Sequence, residues 1–385
     1  MKKKIIYISA GRSDYDRLYL ILKEINHSKK ADLNIFLSSS YFNKIFKYDI
    51  YKIKKEFKVI NSQKKFKKLK DTPSQTIKNL VSDISDLQNY VNRVKPDLII
   101  IAGDRYDILS SVIVSIPHNI PVIHFFGGAI TEGASDELVR HAVTKMSHLH
   151  YVLLNDYKKR LLRMGEEKWR VKQIGMPNLN NKISQNFKTK KELSNQLKFN
   201  VHKPYALVTF HPVTLDLKNI KNQVKNLIKA IKNLNMNFII TYPNSDIKFY
   251  EIIKLFKNNF KNNKKVLITH SLGEKKYFNL MKYAKFVLGN SSSGIVEASS
   301  FKLPVINLGD RQKGKFFPKN VVNSTYNYRD ILKAIKKIKT EPFKKRIKNM
   351  KNPYISKISY KKIAEDILKI KINQKLIKKK FKAIH

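Results

Sequence analysis

With 385 residues, 42% of them hydrophobic, the chain can bury the cores of two ordinary domains, and wholesale disorder is excluded. It has no cysteine, which rules out disulfides, thiolate metal sites and cysteine nucleophiles together and fits the cytoplasm, the location expected. Lysine and arginine number 78 against 29 aspartates and glutamates, a formal net charge of +49; but the lysines are spread along predicted helices among Asn and Ile, with no recognition helix or RNA-binding signature, so no specific nucleic-acid partner is expected and the charge is read as lysine enrichment across the surface, which would also attract anionic nucleotides.

The opening MKKKIIYISAGRSD imitates a signal peptide, but its apolar part is short and Arg12 and Asp14 follow at once, so 4–9 is read as a buried strand. A turn at Gly11 leads into a helix to about residue 25, and 33–38 is a second strand. The lysine- and aromatic-rich stretch 41–70 has too weak a period to assign. Apolar Ile77, Leu80, Val81, Ile84, Leu87 and Val91 make 76–92 an amphipathic helix. Strand 97–102 ends in Gly103-Asp104-Arg105, followed by a helix (106–116), a strand (121–126) and the turn Gly127-Gly128. Helix 136–146, strand 148–154, helix 156–164 and strand 171–174 complete the first half. The polar, asparagine-rich stretch 177–203 is read as a linker. Strands then follow at 205–210, 237–241, 266–269, 286–288 and 305–308, with helices at 217–234, 247–260, 295–301, 330–338 and 360–372. The lysine-rich end from about Gln374 is read as a frayed tail. No apolar run approaches the roughly 18–20 residues of a membrane span.

Strands alternating with helices, twice over, predict an α/β chain of two Rossmann-like, doubly wound parallel-sheet domains, with ligands at the carboxyl ends of the strands. The residues falling there come from both halves: Arg12, Asp104, Arg105, His211, Asn244, Ser291 to Gly294 and Arg311. An interdomain cleft is therefore expected. The most informative stretch is LGNSSSGIVEASSFKLPVINLGDRQKGK, residues 288–315. A helix start leaves backbone N–H groups unpaired, and in Ser291, Ser292, Ser293 and Gly294 the small residues let an anion approach while hydroxyls add donors, as a phosphate requires. Glu297, one turn further on, suits ribose hydroxyls, and Arg311 suits a diphosphate.

Together and in this order, GRSDYDRL, GDRYDIL, HFFGGAITEGASDELVRHAVTKMSHLH, FHPVT, YPNSD, GNSSSGIVEAS and NLGDRQKG resemble the UDP-N-acetylglucosamine 2-epimerase family, most closely its hydrolysing branch in bacterial sialic-acid and related nonulosonate synthesis. The resemblance runs from about Lys4 to Asn320. It implies a GT-B-like fold: an N-terminal domain (1–176) for the sugar chemistry, a nucleotide-binding domain (204–355), and a segment 356–385 whose helix packs back on the first domain. It also implies a reaction. The nucleoside diphosphate leaves C1 and a proton leaves C2, giving a 2-acetamidoglycal; water then adds, and free N-acetylmannosamine emerges from UDP-N-acetylglucosamine. No cofactor is implied. The partner is a nucleotide-sugar substrate, and a homodimer is left open. Asp104 and Asp136 match acidic positions of the family and His211 its cleft histidine. Arg105, Asn244, Ser291, Ser292 and Glu297 match nucleotide-contacting positions, and Arg12, Arg311 and the Ser292–Gly294 turn suit the leaving diphosphate.

One departure stands out. Relatives commonly carry a glutamate after the Gly-Gly pair, and some carry one just before it; this chain has Ala129 and Phe126. Glu132 is the nearest substitute for the missing acid. His124, His141, His148 and His150 are numerous enough for a metal cluster, but His148 and His150 point alternate ways on one strand, so they are read as structural and no metal site is expected. The competing activity is a GT-B glycosyltransferase, which would share the nucleotide half. The segment TEGASDELVRH favours the epimerase.

Overall fold

Short runs of Ile, Leu and Val, buried on both faces, build two parallel sheets. The computed structural model describes residues 1–43, 45, 50–61 and 71–382, so part of the unassigned 41–70 stretch lies outside it. The first sheet uses β1 (Lys3–Ser9), β2 (Ala31–Leu37), β3 (Lys58–Asn61), β4 (Leu98–Ala102), β5 (Val122–Phe125), β6 (Leu149–Val152) and β7 (Val171–Gln173). Its order is β3-β2-β1-β4-β5-β6-β7. The second uses β8 (Tyr205–Thr209), β9 (Asn237–Thr241), β10 (Val266–Thr269), β11 (Phe286–Gly289), β12 (Val305–Leu308) and β13 (Val321–Ser324), in the order β10-β9-β8-β11-β12-β13. Every strand of β4 and β8 type is buried end to end, Leu98-Ile99-Ile100-Ile101-Ala102 being the clearest case. These are the two Rossmann-like sheets that the strand–helix alternation predicts.

Contacts divide the chain into two units. The first holds Met1–Ala129, Asp136–Asn180 and the chain from Tyr354 onward; the second holds Ile130–Ser135 and Asn181–Pro353. Helices cover the sheets through apolar stripes. In Ile220–Lys232 the buried positions are Ile220, Gln223, Val224, Leu227, Ile228, Ala230 and Ile231, a helical period. In the first unit, Leu87, Tyr90 and Val91 of helix Pro73–Val94 join Ile6, Ile8, Ile99 and Ile101 in one core. No helix among the described residues is long and apolar enough to cross a membrane.

Two expectations fail. The stretch 177–203 is not a bare linker: it contains helices Leu179–Ile183 and Lys190–Leu197. The second starts in a capping box, with Thr189 Oγ1 accepting from the Glu192 N–H at 3.3 Å and the Thr189 N–H donating to Glu192 Oε2 at 2.8 Å, and it buries Leu193 completely. The end of the chain, as far as residue 382, is not frayed either. Asn373 caps a short helix, Gln374–Ile377, by accepting from the Leu376 N–H at 3.0 Å. Arg170, only 1% exposed, donates to the carbonyls of Leu376 (2.9 Å), Lys375 (3.0 Å) and Lys378 (3.1 Å) while its Nε holds Glu167 at 2.7 Å. Lys145 Nζ, His150 Nε2 and Lys379 Nζ meet on the buried Glu166 at 2.9, 3.0 and 2.8 Å. Burial pushes the Glu166 carboxyl up, but the hydrogen bonds from His150, Lys379 and Lys145 outweigh it and bring it down to about 2.

Arg170→Met should leave three carbonyls of the final segment without their donor. A buried polar group left unpaired costs roughly 1–3 kcal/mol, and each kcal/mol moves melting by roughly 2–4 °C in a domain of this size. Differential scanning calorimetry should therefore show a melting temperature several degrees lower. An unchanged value would show that Arg170 does not anchor the segment.

Candidate functional site

Each sheet has one place where neighbouring strands lead away in opposite directions, and ligands of such sheets bind there, beyond the carboxyl ends of the strands. In the first unit it lies between β1 and β4, in the second between β8 and β11.

In the first unit, β1 runs into Ala10-Gly11 and helix Arg12–His27. Arg12 opens that helix and meets Asp16 at 3.5 Å. Asp14 turns back into the protein, where its Oδ2 accepts from the Ala10 N–H at 2.9 Å and from Tyr7 and Ser9 hydroxyls at 3.3 Å. Burial raises its pKa to about 7 against backbone hydrogen bonds, that of Ala10 among them, and the charge of Arg105. Beyond β4, Gly103 takes a left-handed φ of +84° and delivers Asp104 and Arg105. Arg105 meets Asp107 at 3.5 Å. Asp104 is held by Arg140, whose Nε donates to Oδ2 at 2.8 Å and whose Nη2 bonds the same oxygen. Arg140 Nη1 reaches Glu137 Oε2 at 2.6 Å and the Ala129 carbonyl at 3.1 Å. Glu137 Oε1 in turn accepts from His141 Nε2 at 2.8 Å. Burial opposes the charge on Arg140, but Asp104 and then Glu137 raise its pKa above the ordinary value. One buried guanidinium thus brings together two carboxylates, one beyond a strand and one in the first turn of helix Asp136–Met146, beside Asp136.

The turn after β5 is set by the same neighbourhood. Phe126 sits at φ +70°, a strained conformation for a bulky residue, with its N–H on the Tyr151 carbonyl at 2.8 Å. A Cβ on Gly127 would come within 3.0 Å of His124 Nδ1 and Thr144 Oγ1, so no larger residue fits unless one of them gives way. His124 Nε2 donates to the Gly103 carbonyl at 2.8 Å, which leaves Nδ1 to accept from Thr144 Oγ1 at 3.2 Å. Burial lowers its pKa to about 4, so the ring is neutral at pH 7. His150 is taken by Glu166, and His148 Nδ1 accepts from the Val122 N–H at 3.2 Å. Phe126 and Ala129 are themselves 7% exposed and pack as core residues.

In the second unit, β11 ends at Gly289, where a Cβ would lie 2.0 Å from the Thr209 carbonyl oxygen; only glycine permits that approach of β11 to β8. Asn290 follows, fully buried, and clamps His211: its Oδ1 accepts from the His211 N–H at 2.7 Å and its Nδ2 donates to the His211 carbonyl at 2.9 Å. The Asn244 N–H donates to His211 Nδ1 at 3.0 Å, so the neutral ring carries its proton on Nε2. Arg311 Nη1 and Gln312 Nε2 both donate to the Asn290 carbonyl, at 3.3 and 3.2 Å, and Arg311 also faces Asp246 at 3.8 Å. Ser291 caps helix Ser292–Val296, accepting from the Ser293 N–H at 3.4 Å, and Tyr277 reaches Ser293 Oγ at 3.2 Å. The α-helix is shorter than expected and continues as a 3₁₀ turn, Ala298–Phe301, with Glu297 buried between the two. Asn244 and Arg311 therefore meet His211 directly or through Asn290, and the turn Ser291 to Gly294 with Glu297 follows Asn290 in the chain.

Glu132 sits beside Lys313, two residues from Arg311. It belongs to the second unit, half exposed, its N–H on the Lys313 carbonyl at 3.0 Å and its carboxylate on Lys313 Nζ at 2.9 Å. Sequence reading passed over Glu137, Arg140, Asn290 and Gln312. Glu137 and Arg140 carried a usable signal, an acid and a base three apart on an amphipathic helix. Asn290 and Gln312 lay inside recognised motifs, but their role is to hold backbone, which residue type alone does not announce.

Residues 23–368 match the sequence model of a family described as UDP-N-acetylglucosamine 2-epimerase. The GDP/UDP-N,N'-diacetylbacillosamine 2-epimerase (hydrolyzing) of Campylobacter jejuni is 38% identical over 347 residues, covering 89% of this chain and 89% of that protein. The UDP-N,N'-diacetylbacillosamine 2-epimerase (hydrolyzing) of Legionella pneumophila is 30% identical over 342 residues, 89% of this chain and 90% of that one. Among solved structures, the UDP-GlcNAc 2-epimerase from Neisseria meningitidis bound to UDP-GlcNAc superposes with a TM-score of 0.76 at 17% identity, over 96% of this chain and 100% of that one, a likeness of fold. Matched over most of its length by the family and by both relatives, the chain belongs to the UDP-N-acetylglucosamine 2-epimerase family.

Proposed function

We propose that this chain is a hydrolysing 2-epimerase: it converts a UDP- or GDP-activated N-acetylated sugar to the free 2-epimer and nucleoside diphosphate. Family membership and two relatives named as hydrolysing epimerases support the reaction and disfavour the glycosyltransferase alternative. Both relatives are named for N,N'-diacetylbacillosamine, so a nucleotide sugar with two N-acetyl groups is the first substrate to try. The observation in the structure that carries the reading is the Asp104–Arg140–Glu137 cluster. The C2 proton of the sugar is a poor acid and needs a fixed carboxylate base. A buried guanidinium bonds both carboxylates and fixes them in place. One of them accepts the C2 proton as the diphosphate leaves C1. Water then supplies hydroxyl to C1 and a proton returns to C2 from the other face. In the second unit, Nε2–H of His211, Arg311 and the Ser291–Ser293 turn are assigned to the nucleoside diphosphate, where donors offset the charge of the leaving group.

Incubated with a panel of UDP- and GDP-sugars and followed by NMR, the protein should release free sugar and one equivalent of nucleoside diphosphate. An epimerised but intact nucleotide sugar would place it in the non-hydrolysing branch.

Asp104→Asn and Glu137→Gln should each lower kcat by about 10²-fold or more, the scale of a lost acid–base group. Near-normal turnover in both would transfer the role to Asp136 or Glu132.

Ser292→Ala should weaken UDP or GDP binding by about 1 kcal/mol or more, as for a hydrogen bond to a charged group. Calorimetry showing unchanged affinity for both nucleotides in Ser292→Ala and in His211→Gln would remove this turn from the nucleotide site.

A further inference from the structure

We propose that Lys379 is a positioning residue for the acids of the first unit: it caps the carboxyl end of helix Asp136–Met146 and, through Thr144 and His124, holds the turn that presents Asp104. The proposal rests on the reading of Asp104 and Glu137 given above.

The geometry is specific. The last carbonyls of a helix have no partner within it and carry partial negative charge. Lys379 Nζ reaches three acceptors at this end, the carbonyls of Thr144 (3.2 Å), Lys145 (2.8 Å) and Ser147 (2.7 Å), and sits against Glu166 at 2.8 Å. The same helix carries Asp136 and Glu137 in its first turn and Arg140 in its middle. Thr144, whose carbonyl Lys379 holds, bonds His124 through its hydroxyl, and His124 bonds the carbonyl of Gly103, the residue before Asp104. One ammonium therefore braces both carboxylates of the cluster, one through the helix axis and one through a buried hydrogen-bonded chain. It touches neither. Its own segment is fixed nearby by Arg170 on the Lys378 carbonyl and by the Lys382 N–H on the Gly165 carbonyl at 3.0 Å.

The charged groups facing Lys379 are Glu166, Lys145, Arg170, His148 and His150. Burial first, then Lys145 and Arg170, lower its pKa to about 8 in spite of Glu166. The two histidines are pushed below their ordinary value, chiefly by burial. The cap is therefore charged below about pH 8 and loses its proton above it.

The test measures kcat and KM from about pH 6 to 10 for the wild type, Lys379→Met, Lys379→Arg and Lys145→Met, with any nucleotide sugar the wild type turns over. Lys379→Met should lower kcat about ten-fold or more, the scale of losing a charged hydrogen bond, with KM and UDP affinity unchanged. Lys379→Arg should recover most of the rate. Lys145→Met removes another cation from Glu166 but leaves the cap, and should keep the wild-type kcat. Wild-type kcat should fall as pH rises through about 8, and this limb should vanish in Lys379→Met. Equal kcat in wild type and Lys379→Met, or an equal loss in Lys145→Met, overturns the proposal. If Lys379→Met does not fold, the wild-type profile decides, and a level kcat across pH 8 overturns it. A wild type that turns over no nucleotide sugar contradicts the epimerase reading itself and takes the proposal with it.

Discussion

Arg140 is the side chain on which the arrangement of the first unit's paired carboxylates depends. At 1% exposure its charge is tolerable only because acids and a carbonyl take up its donors. Those partners come from three places: Asp104 beyond β4, Ala129 after the Gly127-Gly128 turn, and Glu137 one turn earlier on its own helix. A strand end, a glycine turn and a helix are registered against each other by one planar group. Phe126, three residues before Ala129, holds its strained φ with its N–H on the Tyr151 carbonyl. The chain has few acids to spare, and two of them, one beyond a strand and one in the first turn of a helix, are placed on this one arginine.

The same scarcity explains what the lysines do. With 78 basic residues and 29 acidic ones, most cations cannot find a carboxylate. Several turn instead to helix ends and loop carbonyls. Lys3 Nζ caps the helix Tyr360–Leu368 through the carbonyls of Ile367, Leu368 and Ile370 at 3.3, 2.8 and 2.6 Å. Lys248 takes the Leu217 carbonyl at 3.2 Å and Lys302 that of Lys348 at 2.5 Å. The partial negative charge at helix carboxyl ends makes the carbonyls of Leu368 and Lys348 favourable partners, while that of Leu217 belongs to a loop. A composition that first suggests a nucleic-acid binder is, in part, a set of structural caps.

Much of the fold was legible because parallel strands buried on both faces must be apolar throughout, as in β4 and β8. The short edge strands β3 and β13 were missed for the opposite reason: Lys58-Val59-Ile60-Asn61 and Val321-Val322-Asn323-Ser324 are half polar and brief. Helix Lys190–Leu197 was missed although Thr189 and Glu192 spell its capping box, because the surrounding Asn and Lys masked one buried leucine. The final segment looked frayed because its order comes from Arg170, some two hundred positions away, and no local pattern reports that. In the second unit the serine turn, His211 and Arg311 were legible as a group, whereas the clamp that orients His211 comes from Asn290, whose importance lies in its hydrogen bonds rather than its charge. Glu137 shows the limit of motif reading: it stands next to Asp136, and only the three-dimensional placement of Arg140, which bonds Glu137 and also feels the charge of Asp136, brings it into view.

The central claim is that the bond from C2 to hydrogen is broken at the Asp104–Arg140–Glu137 cluster before free sugar is released. It is tested most directly with a nucleotide sugar deuterated at C2, turned over in ordinary water with the released sugar analysed by mass spectrometry and NMR. The account predicts free 2-epimer in which solvent protium has replaced the deuterium, and loss of that product in Asp104→Asn. Free sugar that keeps its deuterium and its original configuration at C2 would contradict it.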